Sequence, residues 1–323
     1  WSEWGGFDKA VEMCNNNGAC RKKDAAVMCP SYRATSEEKD LTRGRANTLR
    51  LAMSGQLGPD AFISDEMAAT MELCVGCKGC KRECPTGVDM ARMKTEFLYQ
   101  YTKKHGLPLR EKLIAYLPRY AGLASSFRAL MNLRDQIPGM ATVSEWLLGF
   151  SAERALPKWV SPYKGSTTSG KASVGEVVLL ADTFNTNFEP KNLEAARRVL
   201  EAAGYKVHHV EASPGGRPLC CGRTFLAAGL VDEAKAEATR TLAALAPFIK
   251  RGVPVVGLEP SCLLTLRDEF TVMLPGGHEG SETKDLAEHA YLFEEFLARE
   301  KAAGRLTLDL KPVAQKKALL HGH

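Results

Sequence analysis

No uninterrupted apolar run in this chain is long enough to cross a bilayer, and no Gly-x-Gly-x-x-Gly turn follows its first strand-like segment. These two absences argue against a transmembrane span and against a dinucleotide fingerprint. No signal peptide is visible, so a reducing, cytoplasmic compartment is expected, and 10 cysteines in 323 residues are too few for a disulfide-stapled scaffold. The seven histidines form no ligand pair: His208 and His209 fall in an expected strand, and His321 and His323 close the chain. Basic residues are not interleaved with aromatics and no binding motif accompanies them, so nucleic acid is not an expected partner. With 45% hydrophobic and 25% charged residues and a formal charge of +5, the chain can bury ordinary cores in two or three domains.

What is present is a cysteine run. Cys74-Val-Gly-Cys77-Lys-Gly-Cys80-Lys-Arg-Glu-Cys84-Pro85 has the bacterial ferredoxin spacing for iron–sulfur ligation, in which the fourth cysteine reaches a different cluster from the first three. Zinc would favour two well-separated Cys-x-x-Cys pairs. The swap partner is an earlier group, Cys14, Cys20 and Cys29, the last again followed by a proline. The expected wiring gives Cys74, Cys77, Cys80 and Cys29 to a first 4Fe-4S cluster. Cys14, Cys20 and Cys84 are left to a second, with Asn17 where a thiolate should stand. Asn17 itself, a water, or a missing iron in a 3Fe-4S cluster would each account for that gap. Arg21, Lys22, Lys23, Lys78, Lys81 and Arg82 crowd these loops, either to offset anionic clusters or as a solvated basic face.

Periodicity divides the chain. Residues 1–105 read as short helices around the cysteine loops: Ser64 is an expected N-cap, and Met67, Met71, Met90, Met93, Phe97 and Tyr101 recur at helical spacing. Residues 106–173 read as a proline-cut helical connector ending in a polar linker. Its apolar stripe includes Leu123, Phe127, Leu130, Met131, Trp146 and Leu147, flanked by basic residues, and suits internal packing, a partner or a membrane surface. Residues 174–323 alternate strand and helix. Strands are expected at 177–180, 206–210, 253–258 and 318–320, with one long helix carrying Leu226 to Ile249 and another carrying Leu286, Ala290, Phe293 and Leu297. The fold class is therefore α+α/β, a helical two-cluster ferredoxin domain followed by a doubly wound α/β domain.

Cys220-Cys221-Gly222 and Cys262 fall where an α/β sheet presents ligands. At this point the chain resembles a family. Cys-Cys-Gly with a cysteine some forty residues later resembles the cysteine-rich domain of heterodisulfide reductase and of the iron–sulfur subunits of glycolate, lactate and anaerobic glycerol-3-phosphate dehydrogenases. Met13-Cys-Asn-Asn-Asn-Gly-Ala-Cys-Arg-Lys, Met28-Cys-Pro-Ser-Tyr-Arg-Ala-Thr and Thr42-Arg-Gly-Arg-Ala-Asn-Thr-Leu-Arg resemble, more narrowly, the iron–sulfur half of fused FAD and iron–sulfur D-2-hydroxyacid dehydrogenases, of the D-lactate and D-2-hydroxyglutarate type.

The resemblance implies an electron-transfer module of an oxidoreductase. An FAD on another domain or subunit would take electrons from the hydroxyacid, and clusters here would pass them singly to an acceptor such as a quinone. No catalytic residue and no FAD site are expected in this chain, and peripheral contact with the inner face of the cytoplasmic membrane is allowed for. The pattern is incomplete: Asp182 to Asn187 stand at the family's early cysteine, and Cys262 is followed by Leu-Leu-Thr265 where a second cysteine is usual. Cys220, Cys221 and Cys262 are thus either a third metal site or buried, redox-reactive thiols. Trp1 and His323 are expected to be boundaries within a longer polypeptide.

Overall fold

Short helices separated by cysteine loops fill the first hundred residues: α1 (Phe7–Glu12), α2 (Pro30–Thr35), α3 (Thr42–Met53), α4 (Asp65–Glu72), α5 (Gly79–Glu83) and α6 (Met90–His105). The computed structural model describes residues 1–24, 27–165, 168–169, 173–213, 215–274 and 281–312, with Ala314, Lys317 and Leu319. The chain divides into two compact units, Trp1–Glu111 with Leu226–Val231, and Lys112–Phe225 with Asp232–His323.

Caps start the first unit's longer helices. Ser64 Oγ accepts from the Met67 N–H (3.2 Å) ahead of α4, and Asp89 Oδ1 from the Arg92 N–H (3.0 Å) ahead of α6. Leu41, Leu49, Met67, Met71, Met90, Met93 and Phe97 then form one core, and the thiols of Cys14, Cys20, Cys29 and Cys80 lie within it. The cysteine loops are therefore packed against apolar side chains, not draped on the surface. Gly44 is forced by close approach: a Cβ there would sit 1.9 Å from the Glu38 carbonyl oxygen, in the turn that precedes α3.

In the second unit, α7 (Leu109–Ala115, whose first residues belong to the first unit), α8 (Leu117–Ser126), α9 (Arg128–Met131) and α10 (Met140–Leu148) lead to a five-stranded sheet. Its strands are β1 (Thr168–Ser169), β2 (Gly175–Leu180), β3 (Tyr205–His208), β4 (Val255–Gly257) and β5 (Ala290–Leu292), in the order β1-β3-β2-β4-β5. All neighbours are parallel except β1 and β3. The intervening helices are α11 (Thr183–Asn187), α12 (Pro190–Ala202), α13 (Arg223–Ala227), α14 (Val231–Ile249), α15 (Pro260–Arg267), α16 (Glu269–Met273), α17 (Glu282–His289) and α18 (Phe293–Ala302). Alternation along β2 separates two cores. Val178 and Leu180 pack with α14, α15 and α17, whereas Val177 and Leu179 pack with α12 and α18. This is a mixed helical chain with a small, mostly parallel sheet.

Several expectations are corrected. The helix expected through Leu286 to Leu297 is broken by β5, because Ala290, Tyr291 and Leu292 pair in register with Val255, Val256 and Gly257. Helical spacing there gives way to sheet pairing, and α18 restarts as Glu295 Oε2 accepts from the Leu292 N–H (3.0 Å). The long helix from Leu226 is two helices, separated at Gly229, whose φ is +74°. Part of the polar linker, Thr168–Ser169, is instead an antiparallel edge strand. The strand expected at 318–320 lies outside the described residues except for Leu319. The connector's apolar stripe is largely exposed, Trp146 at 83% and Leu123 at 67%. Among the described residues no helix is long and apolar enough to cross a membrane.

One buried carboxylate organises the second unit's polar interior. Glu237, on α14, accepts two hydrogen bonds from Arg217 (2.6 and 2.8 Å), one from Arg240 (3.2 Å) and one from Arg119 (3.3 Å). Burial pushes its pKa up, but the arginines outweigh this and hold it below the ordinary glutamate value. A depressed folded pKa gives stability that is present above the unfolded pKa and lost as pH falls through the folded one. Glu237→Gln is expected to cost about 3–5 kcal/mol, the range for breaking a buried ion pair, and to flatten the acid limb of a stability–pH curve from denaturant titrations. In the first unit, Gly44→Ala is expected to cost about 1–3 kcal/mol by overpacking, read as a lowered denaturation midpoint.

Candidate metal centres

The loop between α4 and α5 carries Cys74 and Cys77, Cys80 follows in the first turn of α5, and Lys78 caps that helix with a left-handed backbone (φ +59°). Cys29 comes from a segment 45 residues away in sequence from Cys74, and the way it is brought in is visible. Glu83, in the last turn of α5, accepts from the backbone N–H groups of Val27 and Met28, each at 2.8 Å. The chain then turns through a left-handed Cys29 (φ +51°) into Pro30, the first residue of α2. Thr42, opening α3, donates its backbone N–H to the Cys29 sulfur (3.1 Å), and its hydroxyl lies 3.1 Å from the same atom.

As a result, Cys29, Cys74, Cys77 and Cys80 line one cavity, together with Ser31, Thr42, Arg45, Lys78 and Met90. The Met90 N–H points at the Cys80 sulfur (3.4 Å), and Lys94 Nζ holds the Cys74 carbonyl at 2.6 Å and that of Glu72 at 3.2 Å. Burial pushes the Cys80 thiol up to about 12, and burial likewise raises Cys29 although the Thr42 hydrogen bonds and the nearby Arg45 charge oppose it. Without a cation, these thiols are neutral. Among the described residues no three His, Cys, Asp or Glu side chains converge to hold a single ion. Thiols spread around a cavity, with N–H groups aimed at their sulfurs, suit a cluster with several metal atoms better than a mononuclear site.

The second set is less closed. Cys14 follows α1 and Cys20 lies in a turn at Ala19–Arg21, both buried. Burial raises the Cys20 thiol, which also feels Cys29 and Cys14. Cys84 ends α5 with its sulfur 3.3 Å from the Thr86 hydroxyl. Burial raises its pKa, but that hydrogen bond and the N–H groups of Thr86, Gly87 and Val88 lower it further, leaving a net fall. Asn17 is exposed and its amide is engaged within its own loop: Nδ2 donates to Asn15 Oδ1 (2.5 Å), and Oδ1 accepts from the Ala19 N–H (2.8 Å).

The third group lies at the C-terminal ends of β2 and β4. Asp182 caps α11, its Oδ1 accepting from the N–H groups of Phe184 (2.9 Å) and Asn185 (3.0 Å), and Cys262 sits in the first turn of α15. Cys220, Cys221 and Cys262 are all buried. A hydrogen bond with Cys221, then burial, raises Cys220 well above the ordinary thiol range. The bond from Cys220 lowers Cys221, but its bond with Cys262 and its burial raise it further. Cys262 is pulled down by its bond with Cys221 and raised, on balance, by burial. Burial thus favours the protonated form of all three thiols.

Most cations singled out in the sequence are solvated: Arg21, Lys22, Lys23, Lys81 and Arg82 are exposed. The residue that sequence reasoning passed over is Arg45, 1% exposed and lining the four-thiol cavity.

Thiol exposure predicts reactivity in the metal-free chain. Cys77, the exposed member of the set, is expected to alkylate with iodoacetamide at least tenfold faster than buried, protonated Cys80, measured by peptide mapping.

Comparison with known proteins gives the sites a context. Residues 10–88 match the 4Fe-4S dicluster domain family. The chain is 25% identical to the D-2-hydroxyglutarate dehydrogenase of Pantoea ananatis over 338 residues, covering 89% of this chain and 32% of that protein. It is 28% identical to the one from Pseudomonas putida, covering 83% of this chain and 30% of that protein. It is 22% identical to the glycolate oxidase iron–sulfur subunit of Escherichia coli, covering 77% of this chain and 56% of that protein. No solved structure matches. The chain spans about a third of the length of the D-2-hydroxyglutarate dehydrogenases it matches. Residues 10–88 are thus similar to 4Fe-4S dicluster domains, and the chain as a whole is similar to D-2-hydroxyglutarate dehydrogenases and glycolate oxidase iron–sulfur subunits.

Proposed function

We propose that this chain is the electron-transfer module of an FAD-dependent D-2-hydroxyacid dehydrogenase, relaying single electrons from an FAD on another domain or subunit to an acceptor such as a quinone. The observation that carries the reading is the cavity lined by Cys29, Cys74, Cys77 and Cys80, inside the segment that matches the dicluster family. In this reading those four residues hold the first cluster. Bound iron–sulfur clusters supply one-electron redox chemistry. The chain's own residues bind and tune: Thr42 and Met90 direct N–H groups at the sulfurs, and Glu83 fixes the loop that delivers Cys29.

Cys14, Cys20 and Cys84 hold the second cluster. The internal engagement of the Asn17 amide supports a centre with three protein thiolates. The substrate pocket lies on the flavin-bearing part. The exposed apolar side chains of the connector, Trp146 foremost, support a contact surface for a partner or for the inner face of the cytoplasmic membrane.

One observation favours a second reading. Cys220, Cys221 and Cys262 are all buried, and Cys221 and Cys262 share one core with residues of β2 and β4, which supports a third metal centre of the heterodisulfide-reductase type.

Iron and acid-labile sulfide counting on anaerobically prepared protein separates these readings. About eight irons are expected for two cubanes and about seven for a three-iron second centre. Iron beyond eight that is lost in a Cys221→Ser variant supports the third site, and zinc without sulfide overturns the proposal. In the complete flavoenzyme, Cys77→Ser is expected to abolish reduction of the terminal acceptor while substrate still bleaches the flavin. Loss of flavin bleaching with the flavin domain folded would count against the relay.

A further inference from the structure

Arg45 is among the largest fully buried side chains of this protein, and it is a cation. A guanidinium is always charged and is seldom buried without a purpose or a full set of partners. Its partners are mostly neutral: Nη1 donates to the Asp40 carbonyl (2.7 Å), Nε to the Thr70 carbonyl (3.0 Å), and Nη2 to the Ser31 hydroxyl (3.3 Å). The buried Asp40 carboxylate is only loosely engaged, with Oδ1 at 3.8 Å from Nη2. That oxygen has no hydrogen-bond partner, and Oδ2 accepts from the Thr35 hydroxyl (2.7 Å). Arg45 lines the cavity of Cys29, Cys74, Cys77 and Cys80, whereas Asp40 is not among its lining residues. The positive end of the pair therefore faces the thiols.

Full burial separates Arg45 from the other basic residues nearby: Lys78, which lines the same cavity, and Lys94, which holds the Cys74 carbonyl, are half-buried. Arg21, Lys22, Lys23, Lys81 and Arg82 are exposed, and water and salt screen their charge within about 10 Å at 0.1 M ionic strength. Arg45 is screened by neither. A fixed positive charge in low dielectric stabilises whichever redox state carries one more electron, so it raises the reduction potential of a group held by these thiols.

We infer that Arg45 is a potential-setting residue for the Cys29, Cys74, Cys77 and Cys80 site, with Asp40 behind it as a partial counterweight. This rests on the assignment of that site to an iron–sulfur cluster, and the test keeps the two claims apart. Arg45 is a positioning and tuning residue and makes no bond to iron. The only change at the centre is the gain of one electron, supplied by a chemical reductant in the test.

The experiment is an EPR-monitored redox titration of the anaerobically reconstituted full chain, with Arg45→Met, Arg45→Lys and Asp40→Asn variants. Arg45→Met is expected to shift the oxidised-to-reduced ratio at a fixed poise at least tenfold toward oxidised, a fall in midpoint of about 59 mV for one electron. Arg45→Lys, which keeps the charge, should recover most of it. Asp40→Asn keeps the shape of the pair and should move the midpoint up, which gives a readout even where Arg45→Met fails to fold. Unchanged midpoints in Asp40→Asn and in a cluster-loaded Arg45→Met overturn the inference and leave the cluster assignment standing. A wild-type chain with no iron–sulfur signal after reconstitution overturns the assignment itself, and the inference with it.

Discussion

Three of the four thiols around the main cavity come from one short stretch of chain, residues 74–80, and the fourth has to be carried in from another part of the chain. The carboxylate of Glu83 does this by accepting from both peptide N–H groups that precede Cys29. The rest of the first unit is arranged around the result. The left-handed turn at Cys29 starts α2, Thr42 reaches the same sulfur from the start of α3, and Gly44 lets α3 lie against the turn that holds Asp40. A carboxylate accepting two backbone donors is a charge-assisted contact, stronger than a neutral hydrogen bond, and it joins segments 55 residues apart.

The relation between burial and charge runs through both units. In the second, Glu237 collects three arginines, so a buried anion is compensated several times over. In the first, Arg45 has a single distant carboxylate and several neutral oxygens. The two arrangements differ in what remains: the one around Glu237 closes on itself, and the one around Arg45 leaves a directed field.

Much of this could be read from the residues. The spacing at 74–84, the cap at Ser64 and the inward methionines at 67 and 71 are local signals, and local geometry honours them. Strands β2, β3 and β4 were legible from apolar runs of the right length. Strand β5 was not, because Leu286, Ala290 and Phe293 sit at helical spacing and only pairing with β4 makes residues 290–292 extended. The break at Gly229 was hidden in the same way, by apolar residues that keep helical spacing on both sides of it. Around the candidate sites, the cysteines were legible and the residues that support them were not. Glu83, Thr42, Lys94 and Arg45 act across long sequence separations, and none carries a spacing that announces it.

Cys77 is exposed while Cys29 and Cys80 are buried. The cysteine set is therefore lopsided, with Cys77 at the protein surface, Cys29 covered by Thr42 and Cys80 by Met90. Electronic coupling between redox partners falls steeply with separation, so the Cys77 corner is the natural port for exchange. Under the proposed function, a partner that meets the surface there would reach Cys77 directly.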